Sequence, residues 1–286
     1  MKFSYVQIGA RDVSSLAQFY IDVLGCRKST ERKWLCGKTG MVLSLPGFGE
    51  DAPVLGIVEC ADGDARNIND TGFAHLCFET EDVKAAVTKL LKNGGSLVST
   101  MKHAELHPCV YCRDPEGNIV EFHIPFPAKG TAPEYLTTAG SLLGLKRGKT
   151  ALKFIHVNII TADWRKLCDF YNGVFGCTDT GKLKDHQGSY KEQVIGIPGV
   201  HVIGRHVLLP GFYESYPTLE IFTYSIPGIE KPNKETDKGI NCIGFASSGI
   251  DEDAKALISA GGSKVSEENG ISIFEDIQGD RILIGG

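Results

Sequence analysis

A carboxylate stands in the middle of an apolar strand in RDPEGNIVEFHIP, residues 113–125. Asp114-Pro115-Glu116-Gly117 carries turn chemistry, since Pro presets one backbone angle and Gly supplies the unusual one. Asn118 to Ile124 then alternates with a period of two. Val120, Phe122 and Ile124 share one face, and Ile119, Glu121 and His123 share the other. Either that second face is open to water, or Glu121 is bound to something. A CxxC pair, Cys109 and Cys112, lies just upstream in HPCVYC. This segment reads as strand, so residues three apart point to opposite faces. No second CxxC accompanies it, and buried small hydrophobes are the simpler reading.

The elements that must position Glu121 come into view through an internal repeat. YVQIGARDVSSLAQFYIDVLGC (5–26) matches HVNIITADWRKLCDFYNGVFGC (156–177) at a constant spacing of 151 residues. Asp12 falls on Asp163, Phe19-Tyr20 on Phe170-Tyr171, and Gly25-Cys26 on Gly176-Cys177. Each copy reads as a short strand, then an amphipathic helix closed by Gly. LLKNGGSLVS (90–99) matches LISAGGSKVS (257–266), and GFAHLCF (72–78) matches GINCIGF (239–245), both 167 residues apart. DPEGNIVE (114–121) stands beside DIQGDRIL (276–283). The chain therefore reads as two similar halves, 1–127 and 151–286, each strand-helix-strand-strand-strand twice over. The stretch 128–150 between them is rich in Gly, Thr and small residues and reads as a linker, with a short helix near Tyr135 to Leu143.

Composition narrows the partners. Hydrophobic content is 42% and charged content 23%, both ordinary for a globular protein with a buried core. Net charge is −5 with no long basic run, which argues against a nucleic-acid partner. No apolar run approaches ~20 residues, so no membrane span is expected. The start, MKFSYVQIGARDV, is too polar for a signal peptide. Nine cysteines without framework spacing fit reduced thiols and a cytoplasmic location.

The helix signature FY..VLG, the GFAHLCFETED strand and the DPEGNIVEF hairpin together resemble the vicinal oxygen chelate superfamily. That group includes glyoxalase I, methylmalonyl-CoA epimerase, extradiol dioxygenases, and fosfomycin and bleomycin resistance proteins. The resemblance covers nearly all of both halves. It implies an α+β fold of four βαβββ modules, whose curved mixed sheets pair to form two cups. It also implies a divalent metal in the cup, held by one residue from each module's first strand and one Glu from its last or second-last strand.

These eight positions fall on Tyr5 and Gly56 in module 1, His75 and Glu121 in module 2, His156 and Glu220 in module 3, and Cys242 and Leu283 in module 4. Only modules 2 and 3 retain His and Glu. Pairing within each half would leave two ligands per cup, too few for tight binding. Exchange between halves, 2 with 3 and 1 with 4, would collect His75, Glu121, His156 and Glu220 in one cup and leave the other empty. Under that reading Glu121 is tolerated in its strand because it binds metal. Two imidazoles and two carboxylates suit one Zn²⁺, Ni²⁺, Co²⁺, Mn²⁺ or Fe²⁺ ion with open positions. Tyr5 and Cys242 would then pack or line a pocket in the vacated cup.

The resemblance implies a lyase, isomerase or epimerase of glyoxalase I type, acting on a small oxygenated substrate. A proton would leave the carbon next to a metal-chelated carbonyl, with Glu121 and Glu220 as the candidate bases. An Fe(II) extradiol-type dioxygenase is the first alternative, weakened by Cys242 and Leu283 where a His and a Glu are needed. A non-catalytic ligand-binding or resistance protein is the second. No Arg pattern establishes glutathione recognition. Lys191, His201 and Arg205 are candidate substrate contacts, and Lys191 or Arg205 would suit an anion. His103 and His107 fit the cup rim or a solvated face equally well, and His206, like Lys191, His201 and Arg205, faces either the cup or solvent. YKEQVIGIPGVHVIGRHVLL (190–209) reads as two strands of module 3. The internal pseudo-symmetry is compatible with a monomer or a homodimer.

Overall fold

In the computed structural model the described residues are 1–60, 65–125, 151–212, 216–230, 234 and 237–286. The stretch expected as linker, with its short helix near Tyr135 to Leu143, lies outside them. Four βαβββ modules follow one another. Module 1 comprises β1 (Lys2–Ala10), α1 (Val13–Asp22), β2 (Arg27–Lys28), β3 (Gly40–Ser44) and β4 (Val54–Glu59). Module 2 comprises β5 (Gly72–Glu79), α2 (Val83–Lys92), β6 (Ser96–Leu97), β7 (Cys109–Arg113) and β8 (Ile119–His123). Module 3 comprises β9 (Lys153–Ile160), α3 (Trp164–Phe175), β10 (Thr178–Asp179), β11 (Lys184–His186), α4 (Ser189–Ile195), β12 (Val202–Leu208) and β13 (Thr218–Tyr224). Module 4 comprises β14 (Gly239–Ala246), α5 (Ile250–Ser259), β15 (Ser263–Glu268), β16 (Ile271–Glu275) and β17 (Arg281–Gly285).

The repeated aspartates explain where the helices start. Asp12 accepts a hydrogen bond from the Ser15 N–H, Asp82 from that of Ala85, and Asp163 from those of Arg165 and Lys166. The fourth module lacks this cap and instead places Asp251, Glu252 and Asp253 in the first turn of α5, where they complement the helix dipole. Leu16, Phe19 and Tyr20 on α1, and Leu167, Phe170, Tyr171 and Val174 on α3, recur at helical spacing and are buried. They join the main apolar cluster with Phe3, Phe78, Phe154 and Phe245.

Two mixed sheets result. One runs β15-β16-β17-β14-β1-β4-β3-β2, from modules 4 and 1. The other runs β10-β12-β13-β9-β5-β8-β7-β6, from modules 3 and 2, with β11 added beside β12. In each sheet the two modules meet through antiparallel first strands, β1 with β14 and β5 with β9. Within every module the first and last strands run parallel.

The expectation of two strands across residues 190–209 is corrected. Residues Ser189–Ile195 form α4, and only Val202–Leu208 are strand. Gly188 and Gly196, both at positive φ, bracket the helix. Val194 and Ile195 gave the segment a strand-like look, yet they are buried as neighbours at the helix end. Docking on module 2 decides the matter: the carbonyls of Gln193 and Val194 accept from the Thr100 N–H and the Ser99 hydroxyl. Among the described residues no helix is long and apolar enough to cross a membrane.

Candidate metal centre

Strand register places the eight audited positions equivalently. In every module the residue two beyond the first position pairs with the second: Gln7 with Gly56, Cys77 with Glu121, Asn158 with Glu220, and Gly244 with Leu283. The β5–β9 pairing sets Cys77 opposite His156, so modules 2 and 3 present their side chains to one place. His75, Glu121, His156 and Glu220 converge there, all four buried.

The His75 and His156 Nε2 atoms are 3.2 Å apart. Glu121 Oε2 lies 3.0 Å from His75 Nε2 and 3.2 Å from His156 Nε2. Glu220 Oε2 lies 3.5 Å from each. Donors held at ~2.1 Å by one ion stand roughly 3.0–3.4 Å apart in octahedral or tetrahedral geometry, so the set has the spacing of a coordination shell. Despite these short distances Glu121 Oε2 has no hydrogen-bond partner. The four ligand atoms lie within 4.8 Å of one another, and the donors fit a divalent cation.

Electrostatics agree. Burial opposes the charges on Glu121 and Glu220, but the adjacent imidazoles outweigh it and hold both carboxyls well below the usual range. Burial also opposes an imidazolium at His75, and the two carboxylates overcome it, pushing His75 up to about 9. His156 is driven down by burial. Two Nε2 atoms this close cannot both carry a hydrogen. The acids thus demand positive charge at their centre, which one proton meets only in part.

The two carboxylates are supported differently. Glu220 Oε2 accepts from Asn158 Nδ2 at 3.0 Å, and its Oε1 lies 3.0 Å from His206 Nε2, whose Nδ1 is 2.9 Å from the Thr218 hydroxyl. Glu121 Oε1 accepts the Cys109 thiol at 3.1 Å. Cys77 and Tyr111 occupy the register positions of Asn158 and His206.

Glu121, His156 and Glu220 open onto a cavity of about 130 Å³, roofed by β11 and α4 and also lined by Lys184, His186 and Lys191, while His75 lies fully buried behind them. Burial, then the charge on Lys191, pushes His186 down to about 4, leaving it neutral. Of the expected substrate contacts, Lys191 reaches this cavity and the other two do not line it. His201 pairs with Asp185 at 2.8 Å on the exposed side. Arg205 pairs with Asp179 and lies over the Trp164 ring. Alternation along β12 is the reason: Val202 and His206 line the cavity, so Arg205 points to the opposite face. His103 is exposed, and His107 packs against Tyr190 of α4 at 5.7 Å.

Asn158, Cys109, Lys184 and His186 belong to the site without having been singled out for it, and His206, read as facing either the cup or solvent, faces the cup. Pairing GRHVL against TLEIF from the sequence would have set His206 opposite Glu220. Nothing local marks Asn158 or Lys184. Cys109 and Cys112 do face opposite ways, one into the cavity and the other into the apolar cluster.

Paired βαβββ modules around an inward His₂Glu₂ set define the class of protein. Residues 2–122 match the Glyoxalase/Bleomycin resistance protein/Dioxygenase superfamily. The match spans most of the first half of the chain, and the second half repeats the same order of elements. Glyoxalase I from Zea mays superposes with a TM-score of 0.61 at 14% identity, over 99% of this chain and 91% of that one. A putative dioxygenase from Bacillus subtilis subsp. subtilis str. 168 gives 0.60 at 14% identity, over 99% and 84%. At such identity these likenesses speak for the fold alone. No curated protein matches the chain by sequence.

Proposed function

We infer that the chain is a divalent-metal-dependent lyase, isomerase or epimerase that moves a proton next to a substrate carbonyl. His75, Glu121, His156 and Glu220 would hold the ion. The observation that carries this is the convergence of four buried donors at 3.0–3.5 Å, with Glu121 Oε2 left without a hydrogen bond. The bound ion supplies Lewis-acid polarisation of the carbonyl oxygen.

The chain's own groups divide the remaining work. Glu220 is fixed by Asn158 and His206 and acts as the anchoring carboxylate. Apart from the two imidazoles, Glu121 is tethered by thiols, which are weak donors, and is the freer of the two. It takes the proton from the carbon beside the carbonyl while the bonding pair moves toward the carbonyl oxygen. It then returns that proton to the same carbon, or to the former carbonyl carbon while the hydroxyl proton on the donor carbon passes to the former carbonyl oxygen, so no oxidant or reductant is consumed. Tyr111, Phe222 and Tyr224 line the cavity and limit water around the reacting carbon.

Metal content of the purified protein, repeated on His75→Ala and His156→Ala, tests the reading. Equal loss in both variants is expected, since each contributes one of four donors from a different module. Full turnover in metal-free protein would sink it.

A further inference from the structure

Beside the four donors, module 2 carries two residues with no counterpart in the other modules. β7 pairs Cys109 with His123 and Tyr111 with Glu121. Alternation therefore sets Cys109, Glu121 and His123 on one face, and all three line the cavity. The places equivalent to Cys109 and His123 hold Gly40 and Val58 in module 1, Gly204 and Phe222 in module 3, and Ile271 and Gly285 in module 4. None of these six can ligate through a side chain. At Gly204 a Cβ would meet the Ile221 carbonyl oxygen at 1.9 Å, so module 3 has no room for a side chain there. The frame thus asks for neither a thiol nor an imidazole at these places, and module 2 has both.

The three residues form a second donor set. Cys109 Sγ, a carboxylate oxygen of Glu121 and a ring nitrogen of His123 lie within 4.8 Å of one another, all on buried residues. Cys109 Sγ is 3.1 Å from Glu121 Oε1, while Oε2 of the same carboxylate faces the two imidazoles of the metal centre. His123 Nδ1 meets the Ile124 carbonyl, the kind of outer contact that orients a ligating ring. An ion with bonds of ~2.0–2.3 Å holds tetrahedral ligands roughly 3.3–3.8 Å apart, so closing the set takes about 1 Å of side-chain movement. Thiolate, imidazole and carboxylate together suit zinc, with a fourth position left for water. A Cys109 thiolate would join Glu121 and Glu220 to offset three of the four charges that two divalent ions bring.

We propose that Cys109, His123 and Glu121 Oε1 bind a second zinc ion, with Glu121 bridging it to the centre of His75, His156 and Glu220. The proposal shares Glu121 with the metal-dependent reading above and rests on that reading for the bridge alone. On binding, the Cys109 S–H bond gives way to a sulfur–metal bond and the proton leaves to solvent, with no change of oxidation state.

Co²⁺ is the probe for the test, because a cobalt–thiolate bond gives a charge-transfer band in the near ultraviolet that nitrogen and oxygen ligands do not. The full chain, stripped with a chelator and kept reduced with a phosphine, is titrated with Co²⁺ by equilibrium dialysis and absorbance. Two ions per chain are expected, one of them bringing the band. Cys109→Ala is expected to abolish the band and leave one ion, and His123→Gln to weaken the band-bearing ion at least tenfold. Cys112→Ala, on the opposite face of β7 in the apolar cluster, should keep both ions. The band in the unaltered chain is read without any substitution, so a variant that fails to fold leaves the test intact. A single ion without the band in the unaltered chain, or a band that survives Cys109→Ala, overturns the proposal. If the band-bearing ion binds and His75→Ala fails to remove the other, the reading of the first centre falls and this one stands.

Discussion

The two sheets share one blueprint and end in opposite interiors. In the sheet of modules 2 and 3 the equivalent positions hold His75, Glu121, His156 and Glu220, the last three lining a cavity. In the sheet of modules 1 and 4 they hold Tyr5, Gly56, Cys242 and Leu283. There Tyr5 stacks on Trp34 with ring centres 5.6 Å apart and planes 13° apart. A Cβ added to Gly56 would meet the Tyr5 hydroxyl at 2.1 Å, so the phenol fills the space a Glu side chain would need. The hydroxyl donates to Gln7, which donates on to Asn241. Trp34, Leu283, Ile271 and Ile273 complete an apolar cluster. Backbone register alone therefore creates no site. A few side chains decide whether the same frame holds an ion or a core.

The largest expected effect breaks that contrast at its donors. His75→Ala is expected to weaken metal binding more than roughly 100-fold, beyond what outer-shell changes cost. Cys242→Ala, at the equivalent place in the other sheet, should leave metal content unchanged, as read by elemental analysis after dialysis. Metal loss in both would mean the sheets do not differ as described.

A sharper cut separates the two carboxylates. Glu121→Gln is expected to lower kcat by roughly 10²–10⁴-fold at saturating metal, the usual loss for a missing general base. Glu220→Gln should act mainly on metal affinity, because its carboxylate is the one fixed by Asn158 and His206. The reverse pattern would move the base to Glu220.

The apolar sheet has its own weak point. Trp34→Ala removes the largest fully buried side chain and leaves Tyr5 without its stacking partner. A loss of about 3–5 kcal/mol in denaturant unfolding is expected, with metal affinity of the folded protein unaltered. A coupled fall in metal affinity would show that the plugged sheet supports the other from a distance.

Much of this contrast was legible in the chain. The 151- and 167-residue repeats mark four modules, and period-two counting sets Glu121 on the face opposite Phe122. What escaped was settled by packing between modules. Residues 189–195 look extended, yet they coil because Val194 and Gln193 must reach the loop at Ser99 and Thr100. Arg205 and His206 are neighbours of similar polarity, and only the pairing of β12 with β13 shows that His206 meets Glu220. The Trp34 plug comes from a 3₁₀ turn between strands, where no periodicity announces an inward side chain.

The smallest effect tests the same pairing of likeness and difference at the hairpin turns. Tyr20 of α1 donates to Asp114, and Tyr171 of α3 donates to Asp276, so each helix clamps the closing turn of another module. Four residues on, module 2 has Asn118, whose Nδ2 donates to Asp114 at 2.8 Å. Module 4 has Asp280 there, a second buried acid whose Oδ1 has no partner. Burial pushes Asp114 and Asp276 each up to about 6, and burial plus the neighbouring Asp276 charge holds Asp280 well above its ordinary value. Acids raised in the folded state give their full stability below the unfolded value near 3.9 and lose it as pH rises through the folded one. Asp280→Asn removes the like charge and supplies the donor that Asn118 provides in module 2. It should therefore stabilise the protein at pH 7.5 by on the order of 1–2 kcal/mol, with the gain shrinking toward pH 4. Urea unfolding midpoints at the two pH values check this, and a gain that is equal at both would show that Asp280 is not the strained acid.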